Sequence, residues 1–132
     1  MIASTKGRYA LRVMIDLAEH DGEKAVPLKQ IAEWQEISKK YLEIIVHDLV
    51  RGGLVRGSIG KSGGYMLCKK PGEYTVGEIL EVTEGPMNTV ACLAAGAEAC
   101  PRAASCKTLP MWTEFERMAH DFFFSKKLTD LL

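Results

Sequence analysis

Pro27-Leu-Lys-Gln-Ile-Ala-Glu-Trp-Gln-Glu-Ile-Ser38-Lys-Lys-Tyr-Leu-Glu-Ile-Ile-Val-His-Asp-Leu-Val-Arg-Gly-Gly53 is the stretch that decides how this chain folds. Pro27 suits the first position of a short helix, with Leu28, Ile31 and Ala32 facing inward. Ser38 has the chemistry of an N-cap. After it Leu42, Ile45, Val46, Leu49 and Val50 repeat at helical spacing, and Gly52-Gly53 stops the run. Upstream, Ala10, Val13, Met14, Leu17 and Ala18 form the apolar stripe of a helix over residues 6–20, ended by Asp21-Gly22. Three helices in this order, with a tight link before the one opened by Ser38 and Lys39, make a helix-turn-helix pattern.

The residues downstream change character. Residues 54–59 and 65–68 read as two strands, joined by the loop Gly60-Lys-Ser-Gly-Gly64. A hairpin tipped with Gly and Lys after a helix-turn-helix reads as a wing. The glycines alone would fit a plain turn, and a phosphate-binding loop should open a helix rather than a second strand. Thr75 and Glu78 make a capping box for a helix carrying Val76, Ile79 and Leu80, which Gly85-Pro86 breaks. From Thr108 to about Lys127 a long helix follows, with Met111, Phe115, Met118 and Phe122 on one stripe and Trp112, Ala119 and Phe123 broadening it. That face is wider than one small winged domain can cover, so pairing with a second subunit is expected, beside ordinary packing on the first helix. The expected fold is mainly α with a small β-wing: a winged helix-turn-helix plus a long C-terminal dimerisation helix. Its expected units are a DNA-binding domain over 1–86, a cysteine loop over 87–107, and a dimerisation helix and tail over 108–132.

The chain has 132 residues, of which 47% are hydrophobic and 26% charged, as in an ordinary globular domain. No run of about eighteen apolar residues exists to span a membrane. The start, Met-Ile-Ala-Ser-Thr-Lys-Gly-Arg-Tyr9, puts charges where a signal peptide has its apolar core, so a cytoplasmic location is expected. The formal net charge is zero, but Lys39, Lys40, Arg51, Arg56, Lys61, Lys69 and Lys70 are opposed only by Glu43 and Asp48 between residues 38 and 70. A solvated face would look the same on charge alone; the helix-turn-helix within it points to double-stranded DNA. The reading face is expected to comprise Ser38, Lys39, Lys40, Tyr41 and Glu43, with His47 behind them. Lysines near the helix start suit phosphates or guanine edges, whereas Glu43 suits cytosine N4. Arg56 and Lys61 belong to the wing, and Lys6 and Arg8 add phosphate contacts that position without reading sequence.

Three of the four cysteines, Cys92, Cys100 and Cys106, fall in an Ala- and Gly-rich segment without apolar periodicity. In a reducing compartment they are ligands or redox thiols before they are disulfides. Thiolates suit an iron–sulfur cluster. Zinc with His120 or His47 as fourth ligand is a second reading, although the spacing fits no common zinc pattern. A thiol switch is a third. Cys68, at the end of a strand, reads as an inert packing residue, and His20 as a solvated or capping residue at a helix end.

Together these pieces resemble the IscR/NsrR/RirA/CymR-type winged-helix regulators, the Rrf-two family. The matching residues are Ser4-Thr-Lys-Gly-Arg-Tyr-Ala10, Ile37-Ser-Lys-Lys-Tyr-Leu-Glu43, Gly53-Leu-Val55, Gly63-Gly-Tyr65, Thr75-Val-Gly-Glu-Ile79, Glu84-Gly-Pro86 and Leu128-Thr-Asp-Leu131. The resemblance covers essentially the whole chain. It implies a homodimeric bacterial transcription regulator, often a repressor, on a palindromic operator. It also implies that members with three cysteines in this loop bind an iron–sulfur cluster and respond to iron, cluster supply, nitric oxide or redox state.

The departures are specific. Seven residues separate Cys92 from Cys100 and five separate Cys100 from Cys106. IscR- and NsrR-like members usually keep equal gaps of five, so the spacing looks more like RirA. The position of the IscR-like histidine ligand holds Leu109, that of the NsrR-like aspartate holds Arg8, and that of an IscR-like wing arginine holds Ile59. The fourth ligand is therefore unassigned, with Glu98 a candidate inside the loop. Three cysteines suit a [4Fe-4S] cluster with one open site better than a [2Fe-2S] centre lacking its histidine. A cluster-free, CymR-like regulator controlled by a partner or by thiol redox is the alternative within the family. A small electron-transfer protein would not need the basic winged helix. The sequence holds no nucleophile–base pair, paired carboxylates or cofactor loop, so no catalytic residues and no enzyme are expected.

Overall fold

The computed structural model describes residues 3–60, 63–94 and 96–132. The Ser4 hydroxyl accepts the Gly7 backbone N–H at 3.2 Å and so opens α1, Thr5–Glu19. The Ala10, Val13, Met14, Leu17 stripe of α1 is buried as its spacing predicts. The next helix, α2, spans Leu28–Gln35. It begins one residue later than the sequence suggests, because Pro27 stays extended (φ −62°, ψ 143°) and caps the helix instead of joining it. The cause lies one residue upstream. Val26 is paired with Tyr65 in an antiparallel bridge, with N–H···O distances of 2.9 and 2.8 Å. The chain cannot turn until it has left that pairing.

α2 ends at Glu36, which adopts the left-handed conformation at φ 54°, and Ile37 then enters the core. The Ser38 hydroxyl accepts the Tyr41 N–H at 3.2 Å and opens α3, Lys39–Arg51. The angle between α1 and α2 is set by one polar clamp. Arg12 donates from Nε to Gln35 Oε1 and from a terminal nitrogen to the Gln35 carbonyl, both at 2.7 Å. Gln35 Nε2 in turn donates to both Asp16 carboxylate oxygens at 2.8 Å. Burial pushes the Asp16 carboxyl above its ordinary range, and the Gln35 hydrogen bond opposes that shift.

Leu42, Ile45, Val46 and Leu49 of α3 are buried, but Val50 at the end of the predicted stripe is 41% exposed. It sits beside Gly57 and Tyr65 in a shallow groove between α3 and the hairpin. The hairpin consists of β1, Val55–Ser58, and β2, Gly64–Leu67, paired antiparallel from Val55↔Leu67 to Ser58↔Gly64. Gly64 (φ 156°) has the Val26 carbonyl so close that a Cβ there would meet it at 2.5 Å. Cys68 lies just past β2 and is exposed, so its expected packing role is not borne out. Its N–H is shared between the Leu54 carbonyl across the hairpin, at 3.3 Å, and the Tyr74 hydroxyl, at 2.9 Å.

Tyr74 is wholly buried. Its hydroxyl donates to the Leu54 carbonyl at 2.6 Å and accepts the Cys68 and Lys69 N–H groups, each at 2.9 Å. One phenol thus closes the base of the wing. Thr75 caps α4, Val76–Glu84, in the expected capping box with Glu78. The Ser4 N–H donates to the Glu84 carboxylate, and Gly7 leaves the room that this carboxylate occupies.

The last helix, α5, spans Leu109–Ser125. It packs on α4 where the Phe124 ring covers Gly77, a position at which a Cβ would collide with the ring. Its C-terminal end is sewn to the winged domain. Val76 N–H donates to the Lys126 carbonyl at 2.8 Å, Leu128 N–H donates to the Tyr74 carbonyl at 3.0 Å, and the Leu128 side chain is wholly buried.

Tyr74→Phe keeps the ring but removes the partner of the Lys69 N–H and leaves the Cys68 N–H and the Leu54 carbonyl with only their mutual 3.3 Å hydrogen bond. It is expected to lower unfolding stability by about 1–3 kcal/mol, the cost of unpaired, poorly solvated polar groups. Urea unfolding followed by circular dichroism reads this directly; an unchanged midpoint would show that water replaces the phenol freely.

Candidate nucleic-acid interface and thiol segment

The turn at Glu36 and the cap at Ser38 present the first half of α3 outward. Lys39, Lys40, Glu43, Ile44 and His47 are exposed there. Tyr41 is half-buried and meets Tyr9 of α1 edge-on, with ring centroids 5.8 Å apart. Arg12 lies over the other end of this arrangement, 5.1 Å from the Tyr9 ring centroid. The clamp that sets α2 therefore also touches the support of α3. The Ser38 hydroxyl is engaged as the helix cap.

The other expected contacts are placed unevenly. Lys6 forms an ion pair with Asp48, so α1 and α3 are joined there by opposite charges. Arg8 is exposed and donates to the Thr5 hydroxyl at 3.2 Å. Arg56 points from β1 into a groove that it shares with His20, Asp21, Glu23 and Lys24 at the end of α1. Gly57 and Tyr65 line the groove along α3 instead. Lys61 lies outside the described residues. His20 caps α1, and its ring stacks on Trp34 at 4.6 Å. Sequence periodicity overlooked Ile44 because it falls outside the apolar stripe, and it overlooked Arg12 and Gln35 because a clamp between two helices leaves no spacing signal.

Gly85 (φ 80°) and Pro86 end α4 and release the thiol segment. Little holds it. A 3₁₀ turn, Ala91–Leu93, carries Cys92, and the Thr89 N–H donates to Glu116 of α5 at 3.1 Å. Cys92 and Cys100 are exposed, and Cys106 is partly covered. Cys106 Sγ lies 3.5 Å from the Thr108 hydroxyl at the start of α5. That hydroxyl, then the Thr108 and Leu109 backbone N–H groups, hold its thiol below the ordinary range. The donor set thus suits a thiolate-bound iron centre chemically, with one thiol already biased to its ligating form. Among the described residues, no three Cys, His, Asp or Glu side chains are gathered so as to hold a metal ion. Glu98 is exposed in the segment; His47 lies on α3 near Asp48, and His120 stacks on Phe124 at 4.4 Å. Neither histidine is grouped with the thiols.

The family profile described as Rrf2, iron-dependent transcriptional regulator, matches residues 3–132. The chain belongs to the Rrf2 family. It is 45% identical over 93 residues to the HTH-type transcriptional regulator CymR of Bacillus subtilis, covering 70% of this chain and 67% of that protein. It is 35% identical over 132 residues to the HTH-type transcriptional regulator IscR of Pectobacterium atrosepticum, covering 100% of this chain and 79% of that protein. The structure of CymR, the global cysteine regulator of B. subtilis, superposes with a TM-score of 0.82 at 34% identity, over 99% of this chain and 95% of that one. That of T. potens IscR superposes with a TM-score of 0.78 at 33% identity, over 99% and 85%. The winged-helix fold is that of Rrf2 regulators, and the family is one of DNA-binding transcriptional regulators, not enzymes. No helix among the described residues is long and apolar enough to cross a membrane.

If Lys40 meets a phosphate, Lys40→Ala is expected to lower the slope of log affinity against log salt by about one and to weaken binding evenly across sequences. Anisotropy titrations at four salt concentrations measure it. An unchanged slope with altered sequence preference would assign Lys40 to a base edge instead.

Proposed function

We propose that this chain is a homodimeric transcription regulator, acting as a repressor on palindromic operator DNA. Its control would come from an iron–sulfur cluster held by Cys92, Cys100 and Cys106, of the [4Fe-4S] type in preference to [2Fe-2S]. One observation carries the reading. The three thiols lie on the loosely held segment between α4 of the winged domain and α5, whose apolar face is uncovered. Met111, Trp112, Phe115, Met118 and Phe122 are all exposed, and no residue of α5 is buried. An unpartnered helical face of that size is an interface in waiting, and a second copy of the same helix covers it with matching chemistry.

When bound, a cluster supplies a thiolate-ligated iron centre whose presence depends on iron, sulfide and oxidants. The chain's own residues do the rest. Cys92, Cys100 and Cys106 would draw together around it, ordering a segment that otherwise has few contacts. The proposed units are the reading head over 1–86, the thiol segment over 87–107 and the dimer helix over 108–132. Half-sites about one helical turn apart demand a fixed separation of the two α3 helices, so a small change where α5 leaves the segment alters affinity. Lys6, Arg8, Ser38, Lys39, Lys40, Tyr41, Glu43, Arg56 and Lys61 are the proposed DNA contacts. A reducing, cytoplasmic setting suits free thiols in this role.

A second reading is favoured by one feature. The thiols are exposed and apart, and Cys106 is acidified, which also suits direct thiol oxidation without a cluster. Anaerobic purification with iron and sulfide counting separates the two. The cluster reading expects coloured protein with iron and sulfide in equal amounts, migrating in sedimentation as two chains. It also expects loss of colour in Cys92→Ala, Cys100→Ala and Cys106→Ala but not in Cys68→Ala. Colourless protein, or stoichiometric zinc, would overturn it.

A further inference from the structure

An apolar side chain interrupts the outward face of α3. Lys40, Glu43, Ile44 and His47 fall on one side at three- and four-residue spacing. With Asp48 they line a shallow concavity. Ile44 is 50% exposed in its midst. It contributes nothing to the core that the neighbouring Ile45 fills, since Ile45 is wholly buried. The polar neighbours are accounted for: Asp48 is held by Lys6, and Lys40 and Glu43 stand free for base or phosphate contacts. Helical side chains lean toward the N-terminus, so Ile44 covers the turn that carries Lys40. That first half of the helix is what a helix-turn-helix presents to base edges. In the major groove the apolar feature of a base edge is the thymine 5-methyl group.

We infer that Ile44 is a specificity-determining residue that packs against a thymine methyl in each half-site. The inference rests on the DNA-binding reading of α3. It makes the face a mixed reader. Lys40 suits guanine, Glu43 suits cytosine and repels phosphate, and Ile44 selects thymine over cytosine where neither charge can.

The test starts from operator duplexes selected from a randomised pool, using protein both as purified anaerobically and after metal removal. Each thymine is then replaced in turn by deoxyuridine, which removes the methyl and nothing else. For wild-type protein, uracil at one thymine per half-site should weaken binding about fourfold, the worth of one buried methyl. Ile44→Val should keep that sensitivity. Ile44→Ala should lose it while keeping the wild-type circular dichroism spectrum, because the side chain is half in solvent. Indifference of the wild type to uracil at every thymine overturns the inference, as does full sensitivity in Ile44→Ala. If neither form of the protein selects any duplex, the DNA-binding reading of α3 falls with it; a selected operator without a methyl effect overturns the role of Ile44 alone.

Discussion

Tyr74 is where the parts of this molecule meet. Its phenol takes two N–H groups at the end of β2 and gives its proton to the Leu54 carbonyl at the start of the hairpin. Its backbone carbonyl takes the Leu128 N–H from the tail that follows α5. The wing and the last helix are therefore referred to the same buried residue. A wing tilted by loss of the phenol contact would no longer share a frame with α3, and a tail released from the carbonyl would leave α5 held by α4 and by the Thr89–Glu116 contact. The clamp of Arg12, Gln35 and Asp16 does the same for the other half, fixing α2 on α1 before the turn that launches α3.

Against that well-tied frame the thiol segment stands out by how little it is held. Glu84 secures the end of α4 to the start of α1, and the Tyr74 and Lys126 backbone contacts secure the end of α5. Between those points the described residues from Gly85 to Thr108 form short turns and reach α5 through the Thr89–Glu116 hydrogen bond and through Cys106, whose thiol meets the Thr108 hydroxyl and the Leu109 N–H. In the proposed regulation, such a segment would respond to whatever gathers its three thiols, and its anchors would pass the change to the winged domain and α5. That division of labour is the physical content of the proposed regulation.

Much of the fold was legible because it rests on local signals. The stripes of α1 and α3, the Ser38 cap and the Thr75–Glu78 box are short-range patterns, and each appears where the residues place it. Errors arose where a distant contact overrode a local preference. Pro27 caps α2 because Val26 is bridged to Tyr65, thirty-nine residues away in sequence. Cys68, just past β2, shares its N–H between the Leu54 carbonyl and the distant Tyr74 hydroxyl, and Val50 faces a groove whose far side is the hairpin. The site divides in the same way. The exposed Lys39, Lys40 and Glu43 follow from helical phase, whereas the Lys6–Asp48 pair and the turning of Arg56 toward the end of α1 depend on how elements pack. The spacing of the cysteines marks them as a set, but spacing carries no information on how a segment without regular structure is arranged.

The most direct measurement is the affinity of one protein preparation for one selected operator, before and after anaerobic removal of its bound metal. If the thiol segment governs the separation of the two reading heads, affinity or half-site spacing preference should change by at least about tenfold, or 1.4 kcal/mol. Equal affinity and equal spacing preference in both forms would contradict it.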